Sequence, residues 1–123
     1  MLSDLKVLNM ASALARYAAA RHEVLAQNIA NADTPGYRAK DVEPFDQAYQ
    51  RIAEDGTNAS GAEDSVWRVV TSSDPGAMSP NGNSVSLEDQ MIKSVEAQQD
   101  HDAATAIYKK SIDILRMTLG RSA

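Results

Sequence analysis

The sequence predicts a mainly α-helical protein in which two long terminal helices pair as an antiparallel, coiled-coil-like hairpin. Two observations predict this fold. Apolar and small residues recur at alternating spacings of three and four residues in the N-terminal and C-terminal parts of the 123-residue chain. Turn-forming Gly, Pro, Ser and Asp residues concentrate between these ends. We expect one N-terminal helical segment (1–34), an irregular middle (35–85) with a short helix and a possible strand, and one C-terminal helical segment (86–123).

The N-terminal helix is predicted to begin near Ser3, a favourable N-cap, with Asp4 beside the positive helix end. It is predicted to end near Ala32, which gives a helix of roughly 43 Å. One seam of small and apolar residues follows its whole length. The seam positions are Leu8, Ala11, Ala15, Ala18, His22, Leu25, Ile29 and Ala32.

The chain is predicted to turn sharply after this helix. Thr34 precedes a proline, which disfavours the helical conformation at Thr34. Pro35 and Gly36 suit the two central positions of a type II turn. The side chain of Asn31 can form hydrogen bonds with backbone groups at the end of the helix. We therefore expect Tyr37 to lie just beyond the turn and to anchor the exit of the chain.

The middle segment carries three kinds of pattern. Apolar residues at four- and three-residue spacings predict a short amphipathic helix over 44–54. Gly, Ser and acidic residues predict a loop over 54–65, and similar turn residues follow over 72–84. The β-branched and aromatic residues of 66–71 predict a strand.

The C-terminal helix is predicted to open at Ser86, with Asp89 completing a capping-box-like pair, and to end near Leu119 with Gly120 as its stop. Its seam is apolar at both ends and polar in the middle. The seam positions are Met91, Val95, Gln98, Asp102, Thr105, Tyr108, Ile112, Leu115 and Leu119. In the last third of the helix the apolar surface is wider than a single seam, which predicts more than one neighbour there. The additional apolar residues are Ile107, Ile114 and Met117.

Antiparallel pairing that places Ala32 near Leu87 brings His22 opposite Gln98. We therefore hypothesise that His22 meets the polar patch formed by Gln98 and Asp102. A polar contact of this kind would fix the register of the two helices, as a buried asparagine does in a coiled coil.

The formal charge of −5 is unevenly distributed. Residues 41–64 carry seven acids and only Arg51 as a base, whereas 109–121 carry four bases and only Asp113 as an acid. This separation favours packing between copies of the chain, or it reflects two solvated faces; the sequence leaves both interpretations open. The acidic balance argues against nucleic acid as a partner, because phosphate binding requires a basic surface.

The sequence offers no recognisable catalytic, cofactor or metal site, so we predict that the protein is not an enzyme. It contains no cysteine, and the neighbours of His22 and His101 at helical spacing do not complete a ligand set. Phosphate-binding loops are also missing. We expect Trp67 and Tyr37 to pack in the middle region rather than to bind a ligand. No apolar run is long enough to span a membrane.

The stretch AQNIANADTPGYRAKDVEPF (26–45) resembles the N-terminal signature of bacterial flagellar rod and hook proteins. SPNGNSVSLEDQM (79–91) extends the resemblance into the C-terminal helix, and the short chain is similar to the basal-body proximal rod proteins of the FlgB type, with the other short proximal rod proteins as the nearest alternative. The acidic loop matches nothing distinctive in this family. The signature matches at Asn28, Ile29, Ala30, Asn31, Thr34, Pro35, Gly36 and Tyr37.

The resemblance implies a structural subunit of the flagellar rod. Such subunits are exported by the flagellar type III apparatus without a cleaved signal peptide and assemble in the periplasm. The N-terminus of this chain agrees, because it lacks the uninterrupted apolar segment of a Sec signal. The implied partners are further copies, other rod proteins, the MS ring, its rod adaptor protein and the export gate. The terminal helices of the family pack against neighbouring subunits around the export channel.

We expect the helix seams to carry these assembly contacts. The alternative is a cytosolic helical chaperone or adaptor of the export system, which would be a folded dimer that stays in the cytosol. The expected assembly residues are Leu8, Ala15, His22, Leu25 and Ile29 in the first helix, and Met91, Val95, Tyr108, Ile112, Leu115 and Leu119 in the last.

Overall fold

Two long antiparallel helices and a small middle layer make up the fold in the computed structural model. The structure describes residues 2–54, 67–72 and 78–121. The predicted fold class is confirmed, including the short helix between the terminal helices. The one predicted strand pairs with a second short strand that was not predicted. The elements are α1 (Leu2–Ala30), β1 (Lys40–Val42), α2 (Phe45–Glu54), β2 (Val69–Thr71) and α3 (Leu87–Arg121).

The ends of the long helices differ slightly from the predicted ends. α1 already includes Leu2, so Ser3 lies inside the helix rather than at its cap. At the start of α3 the Asp89 N–H donates to Ser86 Oγ at 3.3 Å, as predicted for a cap. α3 continues through Gly120, so the predicted stop there is wrong. A glycine permits a left-handed helix end but does not impose one.

Contacts between α1 and α3 establish their antiparallel register. Arg21 contacts Glu96, and further along α1 Asn28 contacts Gln90, so the contact positions run in opposite directions. The side of α3 that is buried repeats every seven residues and carries small or polar side chains. This buried row consists of Gln90, Ala97, Ala104 and Ser111.

The buried row of α3 is displaced by one residue from its predicted seam. Met91 and Val95 of that seam are exposed, as are Tyr108 and Leu119. Ala97 and Ala104 of the buried row are small, and small side chains at the contact let two helix backbones approach closely. α1 matches this row with its own buried residues at seven-residue spacing, Ala11, Ala18 and Leu25.

The middle layer packs on one side of α1. β1 and β2 are antiparallel, with Asp41 opposite Val70. The ring of Tyr17 lies 5.4 Å from that of Trp67 and 5.3 Å from that of Phe45. Trp67 therefore packs in the middle region, as predicted. The core cluster contains Ala13, Tyr17, Val24, Val42, Ala48, Ile52 and Trp67.

Parts of the predicted middle segment lie outside the described residues. These are the loop of 54–65 beyond Glu54, the first strand residue Val66, and the Pro75–Gly76 turn. Within the described part, the predicted strand at 66–71 is reduced to the three residues of β2. The short amphipathic helix begins at Phe45, and the carbonyl of Pro44 accepts from the Ala48 N–H at 3.1 Å.

Candidate functional site

The residues of the sequence signature meet the segment before α3 where α1 ends. This end of the hairpin is held by hydrogen bonds among polar side chains and the backbone around them. We call these side chains the polar clasp. Its members are Asn28, Asn31, Thr34, Tyr37, Asn83, Ser84 and Gln90.

Asn28 is the centre of the polar clasp. Its side chain is fully buried and uses both donors and both acceptor positions. Nδ2 donates to the Lys40 carbonyl at 2.6 Å and to Gln90 Oε1 at 2.8 Å. Oδ1 accepts from the Lys40 N–H at 3.0 Å and from the Tyr37 hydroxyl at 3.2 Å. One amide therefore joins α1, the start of β1 and α3.

We hypothesised that a polar contact of His22 fixes the register of α1 and α3. In the structure, the buried hydrogen bond between Asn28 and Gln90 joins the two helices. A buried polar pair disfavours any shift that would leave its members unsatisfied. His22 itself is exposed. It lines a groove of about 260 Å³ together with Gln98. In the described part of the chain it makes no hydrogen bond with Gln98 or Asp102, which bond to each other at 2.9 Å.

The side chain of Asn31, the second asparagine of the signature, forms hydrogen bonds at the C-terminal end of α1. Asn31 Nδ2 donates to the Gln27 carbonyl at 2.8 Å, and its Oδ1 accepts from Thr34 Oγ1 at 3.1 Å. Asn83 then donates from Nδ2 to the carbonyls of Asn31 at 2.8 Å and Thr34 at 2.7 Å. The last carbonyls of a helix have no intrahelical donor. Here a side chain 52 residues further along the sequence supplies one for Asn31.

Two glycine turns lie against each other beside this helix end. Gly36 has a φ of 73°, and the Tyr37 N–H donates to the Thr34 carbonyl at 3.2 Å, as predicted for a type II turn. Gly82 has a φ of 83°, and a Cβ atom there would lie 3.5 Å from Gly36 Cα. The Gly36 N–H donates to the Asn81 carbonyl at 3.0 Å. Both turns depend on glycine because L-residues with side chains rarely adopt these angles.

The segment before α3 follows the exit of the signature turn. The Ser84 N–H donates to the Tyr37 carbonyl at 3.0 Å, and Ser84 Oγ accepts from the Ala39 N–H at 2.8 Å. Tyr37 is half-buried, and Lys40 Nζ lies 6.0 Å from its ring centroid. These contacts anchor the chain exit as the sequence predicts. The contributions of Asn83, Ser84 and Gln90 were not predicted, because their partners are distant in sequence.

An ionic cluster next to the polar clasp ties β1 to both long helices. Arg21 donates from Nε and Nη2 to the two Asp41 oxygens at 3.0 and 3.2 Å, and Nη1 lies 3.4 Å from Glu96. Lys93 lies 3.1 Å from Asp89 and 4.0 Å from Asp41. Partial burial lowers the pKa of Arg21, but the hydrogen bond and charge of Asp41 outweigh it, so the net pKa is raised. The guanidinium therefore stays charged.

Tyr17 of α1 contacts the segment that leads from β1 into α2. Its hydroxyl donates to the Glu43 carbonyl at 2.7 Å. Burial of the ring raises the pKa of Tyr17 to about 12. The hydroxyl is therefore a neutral donor throughout the physiological pH range.

The remaining predicted site residues divide by burial. Leu25 is buried, whereas Leu8, Ala15, Ile112 and Leu115 are half-buried. The side chains that the structure leaves exposed are Ile29, Ala30, Pro35, Met91, Val95, Tyr108 and Leu119.

The hydrogen bonds of the polar clasp indicate a structural role for these residues. Among the described residues, no three His, Asp or Glu side chains are grouped so that they could hold a metal ion. The described helices are also too polar to cross a membrane. What the polar clasp provides is a fixed geometry: the angle of the chain exit and the register of two helices.

The sequence matches flagellar basal body rod proteins. A family model described as "Flagella basal body rod protein" matches residues 8–38. The flagellar basal body rod protein FlgB of Agrobacterium fabrum is 30% identical over 98% of this chain and 97% of its own length. FlgB of Bacillus subtilis is 32% identical over 92% of both chains. FlgB of Escherichia coli is 50% identical over 34% of this chain and 30% of its own. The chain therefore belongs to the family of flagellar basal body rod proteins of the FlgB type.

Proposed function

We propose that this chain is a proximal rod subunit that packs with further copies and with other rod proteins through its terminal helices. Proteins of this family are structural parts of the flagellar basal body. The observation that supports a packing role is the large apolar surface left outside the hairpin. On α3 alone, Met91, Ile92 and Val95 are each more than half exposed. Contiguous exposed apolar surface marks an interaction site.

In this proposal the segments 1–34 and 86–123 form the axial core, and 35–85 lies on it as the middle segment. The exposed seam residues of α3 meet neighbouring subunits, whereas the buried ones hold the hairpin together. The assembled terminal helices line the export channel. The subunit leaves the cytosol through the flagellar type III apparatus and assembles in the periplasm, near the MS ring, its rod adaptor protein and the export gate.

The polar clasp has a definite task in this proposal. It fixes the direction in which the chain leaves the axial core, because Asn28 holds Lys40 and Gln90 at the same point. A rod requires identical subunit geometry at every position. A buried network in which every member is satisfied specifies such a geometry better than apolar packing alone.

The test is quantitative detection of the chain in purified basal bodies. We expect several copies per particle that resist washes removing peripheral proteins. A Val95→Asp variant, which places a charge on the exposed apolar surface, should be depleted from the particles. Gln47→Asp on the exposed side of α2 is the matched control and should be retained.

Absence of the chain from basal bodies would contradict the proposed rod function. If the wild-type chain is missing from basal bodies and is recovered as a folded cytosolic dimer, the chaperone or adaptor alternative replaces the rod subunit. Circular dichroism of Val95→Asp separates loss of assembly from loss of folding, because Val95 is exposed and its substitution should leave the helix content unchanged.

A further inference from the structure

The sequence contains one Asn-Gly pair, Asn81–Gly82, and the structure places it in the second glycine turn beside the polar clasp. An asparagine followed by glycine is the pair most prone to deamidation. Glycine has no Cβ atom, so its main-chain nitrogen is open to attack on the asparagine side chain. Asn81 is also exposed to solvent. The pair therefore has the chemistry of a spontaneous modification site.

Deamidation at this pair needs no reagent other than water. The main-chain nitrogen of Gly82 forms a bond to Cγ of Asn81, and the Cγ–Nδ2 bond breaks, so that ammonia leaves with the proton of the Gly82 nitrogen. The product is a cyclic imide. Water opening the imide at Cγ gives aspartate. Water opening it at the main-chain carbonyl carbon gives isoaspartate, in which the chain runs through Cβ and Cγ.

The folded turn keeps the attacking nitrogen in a hydrogen bond. The Gly82 N–H donates to the Ser79 carbonyl at 2.9 Å, and its hydrogen is the one that the nitrogen must lose. The Asn81 carbonyl accepts from the Gly36 N–H at 3.0 Å, and Asn81 Oδ1 accepts from the Asn83 N–H at 3.1 Å. Cyclisation removes the donor of the first bond and draws both carbonyls of Asn81 into one ring. The reaction therefore requires the turn to open.

Hydrogen bonds tie this turn to the end of α1. The buried side chain of Asn83 donates to the carbonyls of Asn31 and Thr34. The Ser79 N–H donates to the Asn83 carbonyl at 2.9 Å, so the same residue also closes the base of the turn. Donors and acceptors that lose their partners in a buried site carry a free-energy cost. Opening of the turn is therefore coupled to opening of the polar clasp.

Isoaspartate at position 81 is incompatible with the closed turn. The two glycine turns are already close, since a Cβ atom at Gly82 would lie 3.5 Å from Gly36 Cα. Isoaspartate lengthens the main chain by one atom and moves the carbonyl that accepts from the Gly36 N–H. Aspartate keeps the length of the chain, and its side chain still offers an oxygen to the Asn83 N–H. The two products of one reaction thus differ in their effect on the fold.

We propose that Asn81 is a deamidation site that the closed polar clasp protects and the open chain exposes, and that its isoaspartate product prevents the polar clasp from closing. The reaction is irreversible because ammonia is lost. A chain that stays unfolded for long is therefore converted into one that cannot fold. This inference is independent of the proposed rod function, because it concerns one chain and its own turn.

Incubation of the purified full-length chain in mildly alkaline buffer, with and without guanidinium chloride, tests the protection. Mass spectrometry of proteolytic peptides measures deamidation at Asn81 over time. We expect the reaction in buffer to be at least about tenfold slower than in denaturant, because it must wait for the turn to open. Asn9, which precedes methionine, is the internal control and should react slowly in both solutions. Equal rates at Asn81 in both solutions would refute the protection.

A pair of variants tests the part played by the polar clasp. Asn83→Ala removes the hydrogen bonds to the end of α1 and should raise the rate in buffer by about tenfold. Ser79→Ala is the matched control, because it changes an exposed side chain and keeps the carbonyl that accepts from Gly82. It should react as slowly as the wild type. In denaturant all three chains should react alike. An unchanged rate for Asn83→Ala in buffer would overturn the coupling.

Refolding of aged chains tests the consequence. The wild-type chain is aged in denaturant and returned to buffer, and size-exclusion chromatography separates the folded fraction. We expect isoaspartate to be depleted from that fraction at least about tenfold. Asn81→Asp should refold like fresh wild type, and Asn81→Gln should not age, because its longer side chain forms a less favourable ring. Isoaspartate in the folded fraction at its full proportion would contradict the proposal.

Discussion

At the scale of single residues, Asn28 has the largest structural role in the signature. Asn28→Ala removes four hydrogen bonds and leaves the buried amide of Gln90 without its partner in α1. We expect the variant to lose about 2–3 kcal/mol of unfolding free energy, measured by urea denaturation. The exposed neighbour Ile29→Ala should change it by less than about 0.5 kcal/mol. Equal losses for both variants would refute a central role for Asn28.

The signature glycine is required for its backbone angle rather than for space. A Cβ atom at Gly36 would meet nothing within 4 Å, but the residue has a φ of 73°. We expect Gly36→Val to cost about 2 kcal/mol or more of folding free energy and to reduce rod assembly more strongly than export. Gly120→Ala, in a regular helix, should instead be neutral or stabilising by up to about 1 kcal/mol. A stable Gly36→Val variant that builds normal rods would contradict this prediction.

Tyr17 should make the fold sensitive to high pH. Its pKa is 10.0 in an unfolded chain and about 12 in the folded one, so folding favours the protonated hydroxyl. This contribution is complete below about pH 10 and is lost as the pH rises through about 12. The difference in unfolding free energy between wild type and Tyr17→Phe should therefore shrink over this range. Tyr108→Phe, on an exposed tyrosine, should follow the wild-type curve.

Residue-scale prediction from the sequence succeeded where both interacting groups are close in the chain. The cap by Asn31 and the turn at Gly36 depend on neighbours within five residues, so local chemistry was sufficient. Asn83 and Gln90 bond to groups 49 to 62 residues away. Their sequence context shows only turn and helix-start patterns, and it gives no sign of the particular carbonyl or amide that they contact.

At the scale of elements, the residues that pack α3 against α1 differ from those that the sequence predicts. The existence and approximate length of α1, α2 and α3 could be predicted from periodicity. The sequence predicts a seam through Met91, Gln98 and Ile112, whereas the buried row lies one residue earlier in each heptad and contains Ala97 and Ala104. Periodicity detects a repeat, but it does not separate the side that packs within one chain from the side that remains outside.

The buried row of α3 should tolerate no added volume. Ala104 has 0% exposure, and Ala103 beside it is exposed. We expect Ala104→Leu to lower the unfolding free energy by about 1–3 kcal/mol, because added methyl groups separate two closely packed helices. Ala103→Leu, with the same added volume on the outer side, should change it by less than about 0.5 kcal/mol. Thermal or urea unfolding of the two variants compares them directly.

At the scale of the whole molecule, the two ends of the chain depend on each other. α1 obtains its terminal cap from Asn83 and its buried polar partner from Gln90. A fragment of residues 1–54 lacks both, and isolated helices gain little stability without tertiary packing. We expect its circular dichroism to show much less helix than the same residues contribute in the full chain. A fragment of residues 78–121 should restore helix on mixing, and full helicity of the first fragment alone would contradict this dependence.

The polar clasp also has a consequence for the time course of folding. The contacts that define the hairpin join residues 62 and 75 positions apart, and the open ends of α1 and α3 are separated by nearly the entire sequence. These contacts form only after a long loop has closed, and loop closure has an entropic cost. The hairpin therefore cannot close until the last third of the chain is free to return to the first. A chain of which only the first two thirds have passed through a narrow opening has no closed hairpin.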